Sequence, residues 1–431
     1  MQSKLTQCRM IVGLSVALAC AAVVAKAQPA AAPPAEEPYQ QAMAKAEEAK
    51  GKGDMPAMAI AIRHALKFGP GNEYAWRSLA WALNLSGQWQ DSLAVARENI
   101  ARFGATGWPL EQLAESQMGA GDWAAAKATL AQIDALPPDA IGNAKGAIDG
   151  TRRRLLDLTG QRRYELHWKV DMGQAGPGHD PERLLMPRWG DPRQTFDFTV
   201  TGADSYKRVT VGHRDFIDVV QKPGQPFTID ATVTIRGFAL GGGPLSRVNS
   251  FAVPPELKIM LGPFHHGDVF DPASPLCARI AAFSRSTTMV RTVQNLLNWM
   301  RDNMHYGDTK NATLDTILAG GVGVCHHYCS TFAALCRAAG VPSRVSHGVV
   351  LSGEGEFKDN AGSHGWDSVY IDGLGWVPVD PLDSNSLALF GRSNYLLTDY
   401  ANETPEDNHF DYHSIQGYKC DGKVVAIEAQ N

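Results

Sequence analysis

Charge of one sign is scarce in this chain. Forty Lys and Arg residues face 45 Asp and Glu, a net charge of −5. No basic excess supplies the electrostatic footprint of a nucleic-acid binder. Long apolar runs are also lacking. The best one, Met10 to Val24, is too short for a comfortable membrane span, and no later segment qualifies. Metal-ligand spacing is absent. His167, His179 and His213 have no partners at ligand intervals. In Cys325-His326-His327-Tyr328-Cys329 adjacent residues point in different directions on a helix, with no second Cys or His pair nearby. Neither a metal nor a cofactor is expected. Cysteine is sparse too, with seven in 431 residues.

What is present reads as an exported multidomain protein. Of the residues, 44% are hydrophobic and 20% charged, an ordinary globular composition with room for two or three domains. Lys4 and Arg9, the apolar core Met10 to Val24 and Ala25-Lys26-Ala27 read as a signal peptide over 1–27. The expected location is periplasmic or secreted. The alternative is a lipoprotein anchored at Cys20, although Ala17-Leu18-Ala19 puts leucine one position off the usual pattern. Cleavage removes Cys8 and Cys20 and leaves Cys277, Cys325, Cys329, Cys336 and Cys420. An odd count in an oxidising compartment leaves one thiol over, with up to two disulfides among the rest. Cys329 and Cys336 also suit buried small hydrophobes.

A linker rich in Ala, Pro and Glu is expected over 28–38. Over 39–160, Gly53-Asp54, Gly87-Gln88-Trp89 and Gly121-Asp122-Trp123 recur every 34 residues. Trp76, Leu79 and Ala80 precede the second glycine at the offsets that Leu110, Leu113 and Ala114 hold before the third. The pattern resembles tetratricopeptide repeats, an α-solenoid of paired helices with a possible protein partner on its concave face. Trp76, Trp81, Trp89 and Trp123 are expected to fill its core. Arg152-Arg153-Arg154 reads as a solvated helix face.

The period then changes to two. Tyr164, Leu166, Trp168 and Val170 alternate with polar residues, as do Phe196, Phe198 and Val200, and then Phe227 to Ile235. These runs predict a β-rich domain over 161–255, with turns at Lys222-Pro223-Gly224 and Gly241-Gly242-Gly243. Over 256–431 helices are expected at Ala278–Phe283, Met289–Met304 and Leu314–Leu318. Strands follow at Arg344–Leu351, Trp366–Ile371 and Trp376–Val379. Asp421-Gly422 reads as a second hairpin turn, between Tyr418–Cys420 and Lys423–Ile427. His265-His266 reads as loop, His347 as a strand residue, and His326-His327 as the polar rim of a cleft.

Gly320-Gly321-Val322-Gly323-Val324 leads into Cys325 and a helix with apolar residues Tyr328, Cys329, Phe332, Leu335 and Cys336. A thiol at a helix N-terminus meets partial positive charge and N–H groups without helical partners, and both favour the thiolate. His364 opens a strand, and Asp380 follows the next one. A tight turn between the two strands sets His364 and Asp380 side by side. The three form the ordered parts of a nucleophile, its base and the base's orienter.

Gly323-Val324-Cys325, Ala339-Gly340-Val341-Pro342-Ser343-Arg344, Ser363-His364-Gly365-Trp366 and Gly375-Trp376-Val377-Pro378-Val379-Asp380-Pro381 resemble, in that order, the motifs of the transglutaminase-like superfamily of papain-like cysteine enzymes. The resemblance covers about residues 270–385. It implies a papain-like α+β core, with Cys325 as nucleophile, His364 as base and acid, and Asp380 as orienter. His326-His327 departs from it, since animal transglutaminases carry an aromatic after the nucleophile. No acidic calcium loop is evident. Trp299 and Tyr306 are the candidates for a side-chain oxyanion donor. The expected activity is attack on an amide or peptide bond of a protein or peptide substrate through a Cys325 thioacyl intermediate, with hydrolysis favoured. The alternatives are amine acyl transfer that crosslinks proteins, and a non-catalytic scaffold that binds a partner through the repeats.

Overall fold

The computed structural model describes residues 36–173, 181–240, 251–266, 268–309, 313–359, 362–382, 390–401 and 413–429. The expected signal peptide, Cys8, Cys20, His179 and the Gly241-Gly242-Gly243 turn lie outside these. The first helix begins at Glu36, so the last residues of the expected linker are helical.

Antiparallel helical pairs open the chain. They are α1 Glu36–Gly51 with α2 Met55–Ala65, α3 Glu73–Leu85 with α4 Trp89–Phe103, and α5 Gly107–Ala120 with α6 Trp123–Asp134; α7 Pro138–Ile141 and α8 Lys145–Thr159 follow. Gly53, Gly87 and Gly121 make the turn within each pair at φ 73°, 74° and 74°, a left-handed conformation that glycine adopts without a Cβ clash. Asp54 and Asp122 follow two of them and cap α2 and α6, accepting from the N–H groups of Ala57 at 2.9 Å and Ala125 at 3.1 Å. Trp81 and Trp123 pack against the cores of the array. Trp89 instead packs against the core that carries the site, where Arg301 also donates to the Leu85 carbonyl at 2.8 Å. The basic run Arg152-Arg153-Arg154 is not simply solvated. Arg152 pairs with Asp134, Arg153 with Glu354 at 3.0 Å, and Arg154 with Glu115. Carboxylates from distant segments reach all three arginines.

Strands follow: β1 Gly160–Val170, β2 Glu182–Leu185, β3 Gln194–Thr201, β4 Ser205–Val211, β5 Arg214–Val220, β6 Phe227–Arg236 and β7 Phe238–Ala239. In β1 and β6 alternate residues are buried, as a sheet with one covered face requires. The chain then runs β8 Phe264–His266, β9 Asp268–Phe270, α9 Pro275–Ser284, α10 Met289–Asn303, β10 His305–Tyr306, α11 Leu314–Gly320, β11 Val322–Gly323 and α12 Cys325–Ala338. The last strands are β12 Ser343–Val350, β13 Glu356–Phe357, β14 Ser363–Ile371, β15 Gly375–Val379, β16 Phe390–Gly391, β17 Tyr395–Ala401, β18 His413–Ser414 and β19 Cys420–Ala429. His265-His266 thus lies on a strand, paired with β9, and not in a loop.

The larger sheets are β13-β19-β1-β6-β3, β18-β2-β5-β4 and β15-β14-β12-β17. The first joins the first and the last strands of the described residues. β19 is one continuous strand against β1, with Asp421 opposite His167 and Gly422 opposite Leu166. The second hairpin expected from Asp421-Gly422 is absent. A Cβ on Gly422 would lie 2.6 Å from the Phe357 ring and 2.8 Å from Leu166. Its glycine marks a close approach and not a turn.

Candidate active site

Thr288 caps α10, and Val290, Val293, Leu296, Leu297 and Met300 along it are buried. The same core takes Cys329, Phe332, Leu335 and Cys336 from α12, which packs across β12 and β14. Cys325 opens α12 behind Val324, whose backbone is extended at φ −95°. His327 closes that helix end, its Nδ1 accepting from the Val324 N–H at 3.2 Å. The proton of a neutral His327 ring is therefore on Nε2. Short parallel pairing of β10 with β11 steers the chain into Cys325.

The β14–β15 hairpin carries the partners. His364 is the second residue of β14, and Asp380 follows β15. His364 Nε2 lies 2.9 Å from Asp380 Oδ2. With Nε2 donating to the carboxylate, Nδ1 is the nitrogen left for the thiol. Interaction with the His326 and His364 side chains and the Gly365 backbone outweighs burial and holds the Cys325 thiol down to about 6. Burial alone would depress His364, but its bonds to Asp380 and Cys325 raise it to about 9. Between those values the pair rests as thiolate and imidazolium. The structure brings all three sequence-predicted site residues together, with His364 bonded to Asp380 and interacting with the Cys325 thiol.

No disulfide forms among Cys277, Cys325, Cys329, Cys336 and Cys420. Burial drives Cys277 and Cys420 up to about 12, and raises Cys329 and Cys336 well above the usual thiol range. Cys325 is the only one of the five held below it. Among the described residues no cluster of His, Cys, Asp or Glu could hold a metal ion.

The order of Cys325, His364 and Asp380 along helix, strand and turn agrees with a match between residues 276–381 and the family model of the transglutaminase-like superfamily. Residues 276–381 form a transglutaminase-like core. An uncharacterised protein of Haemophilus influenzae is 28% identical over 128 residues, which are 24% of this chain and 35% of that relative. The chain thus spans about a third of that relative's length. Among solved structures, a candidate cysteine protease from Cytophaga hutchinsonii aligns at a TM-score of 0.39 with 13% identity, over 62% of this chain and 98% of that one. The periplasmic domain of TgpA from Pseudomonas aeruginosa aligns at 0.30 with 16% identity, over 54% and 91%.

Further polar residues that no motif marks stand around the site. Tyr395 Oη donates to Asp380 Oδ2 at 2.6 Å, and the Leu382 N–H donates to Oδ1 at 3.0 Å. Asp367, fully buried on β14 beside Asp380, has no N–H or O–H donor on either oxygen, and burial raises it well above the carboxylate range. His266 pairs with Ser330 and stacks near His347 at 4.6 Å, and burial pushes His266 down to about 3. The His266 ring is therefore neutral, and burial lowers His347 as well. Of the oxyanion candidates, Trp299 packs against the core, and Tyr306 is 66% exposed on β10, 6.5 Å from the Tyr328 ring.

Proposed function

We propose that this protein is a cysteine peptidase or amidase that works through a Cys325 thioacyl intermediate. The observation that carries the reading is the grouping of Cys325 with a His364 that is hydrogen-bonded to Asp380 at 2.9 Å, with the thiol drawn down and the imidazole up. The thiolate attacks the acyl carbon, and the carbonyl oxygen becomes an oxyanion. N–H groups of the first turn of α12 have no intrahelical partner and are placed to stabilise it. His364 gives its proton to the leaving amine as the C–N bond breaks. Neutral His364 then takes a proton from water, the hydroxide displaces the thiolate from the thioester, and the acid leaves. Asp380 holds the ring in the required tautomer throughout.

Water is the favoured acceptor because of position 326. A polar imidazole on the thiol leaves the thioester within reach of solvent, whereas transfer to an amine calls for a site that excludes water. The reading also includes export, from the signal-like residues 1–27, and a protein partner in the groove of about 650 Å3 where Arg77, Trp81, Trp108 and Gln112 face α8.

The deciding experiment incubates the protein with a Gln-containing protein substrate and a fluorescent amine, beside a Cys325→Ala control. Acid and ammonia or new peptide ends should form faster than amine is incorporated, and Cys325→Ala should lose at least ~10^3-fold in rate. Faster amine incorporation would turn the assignment to acyl transfer. Full activity in Cys325→Ala would leave the scaffold.

A further inference from the structure

Asp380 is gripped by two donors on a single oxygen. His364 Nε2 stands 2.9 Å from Oδ2, and Tyr395 Oη stands 2.6 Å from the same atom. The Tyr395 ring meets His364 edge-on at 5.3 Å and lies 5.0 Å from Trp366. Tyr395 is 7% exposed, so water does not compete for its hydroxyl. Each hydrogen bond to a carboxylate oxygen draws charge from it, and charge drawn toward the phenol is no longer offered to the imidazolium.

Tyr395 opens β17, and β17 is fixed from outside the core. Gln194, 4% exposed, takes the Leu397 N–H on its Oε1 and gives its Nε2–H to the Leu397 carbonyl, both at 2.9 Å. The Arg188 N–H donates to the same carbonyl at 3.0 Å. Arg214 Nε meets Asp399 at 3.0 Å, and Tyr400 Oη meets Asp191 at 3.2 Å. Every one of these partners comes from the strand-rich region between β2 and β5. That region carries no chemistry of its own, yet it locks the strand from which the phenol reaches Asp380.

We propose that Tyr395, anchored on β17 by Gln194 and its neighbours, is a positioning residue that shares the charge of Asp380 and so tempers the hold of the carboxylate on His364. The inference rests on the Cys325–His364 reading above. Without the phenol hydroxyl, more of the Oδ2 charge faces the imidazolium, which then keeps its proton to higher pH. A stronger donor at the same place does the reverse.

The test is the pH dependence of kcat/KM in the full chain. Tyr395→Phe should move the alkaline limb upward by roughly half to one pH unit and lower kcat several-fold, with KM little changed. Replacement of Tyr395 by 3-fluorotyrosine, of nearly the same shape and a stronger donor, should move that limb downward. A merely structural tyrosine would change thermal stability in both variants and leave the limb in place. Should Tyr395→Phe fail to fold, the fluorinated residue decides alone. An unmoved limb in either active variant overturns the proposal. Loss of all dependence on Cys325 would instead overturn the underlying reading, and the Cys325→Ala control separates the two.

Discussion

Cys325 and His364 titrate as a pair, and the sign of each shift sets a window. The thiol is held down to about 6 and the imidazole up to about 9. Below the first value the sulfur is protonated and does not attack. Above the second the sulfur is still a thiolate, but no proton remains for the leaving amine. Peptidase activity should therefore rise with an apparent pKa near 6 and fall with one near 9, both belonging to the pair and not to either residue alone. Alkylation of Cys325 by iodoacetamide needs no proton donor. Its rate should share the acidic limb and show no alkaline fall. A fall in both above pH 9 would place the alkaline group on the thiol's own reactivity and not on His364. At this scale Cys325, His364 and Asp380 stood out in the sequence because each sits in a dense local motif beside a Gly, Trp or Pro. Tyr395 did not. Its contact with Asp380 depends on where β17 lies in the sheet, and nothing within a few residues of Tyr395 signals that.

Elements are positioned by close backbone approach. β12 lies between β14 and β17, and at Gly348 the fit is tight. A Cβ there would come within 2.1 Å of the Leu396 carbonyl oxygen and 2.5 Å of the Trp366 ring. Neither neighbour is free to give way, since one is backbone and the other fully buried. Gly348→Ala should destabilise the protein by roughly 1–3 kcal/mol or more, read as a lower midpoint in urea. It should also cut activity by moving β17 relative to β14; an unchanged midpoint would show that the sheet absorbs the methyl. The strand alternation was legible from local periodicity, and the hairpin turn at Asp372-Gly373-Leu374-Gly375 from its turn residues. The course of β19 was not, because Asp-Gly fits a turn and a crowded strand equally well by composition. Phe357, sixty-odd residues away in sequence, is what requires the missing side chain at 422.

For the whole molecule, a buried ion pair spans the joint between the strand-rich region and the core. Arg214 and Asp399 are 6% and 4% exposed and 3.0 Å apart, with His213 Nε2 3.3 Å from the same carboxylate. Removing one partner of such a pair leaves a buried charge without compensation. Arg214→Ala should cost about 3–5 kcal/mol, measured by urea denaturation, and the loss should be seen by probes in both regions at once. Separate transitions with only one displaced would show that the two regions unfold independently. The three-part layout was readable from changes in period along the chain. The joint was not, because ion pairs between distant segments leave no periodic trace.

The pairing of β19 with β1 also fixes an order of events during synthesis. Residues 160–170 leave the ribosome long before residues 420–429, with the whole transglutaminase-like core made in between. Until the later strand arrives, one side of β1 has unsatisfied N–H and C=O groups, the kind of edge that recruits neighbouring chains. Under the export proposed above, passage across a membrane keeps that edge unmatched for longer still. The exposure ends only when residues 420–429 pair with β1.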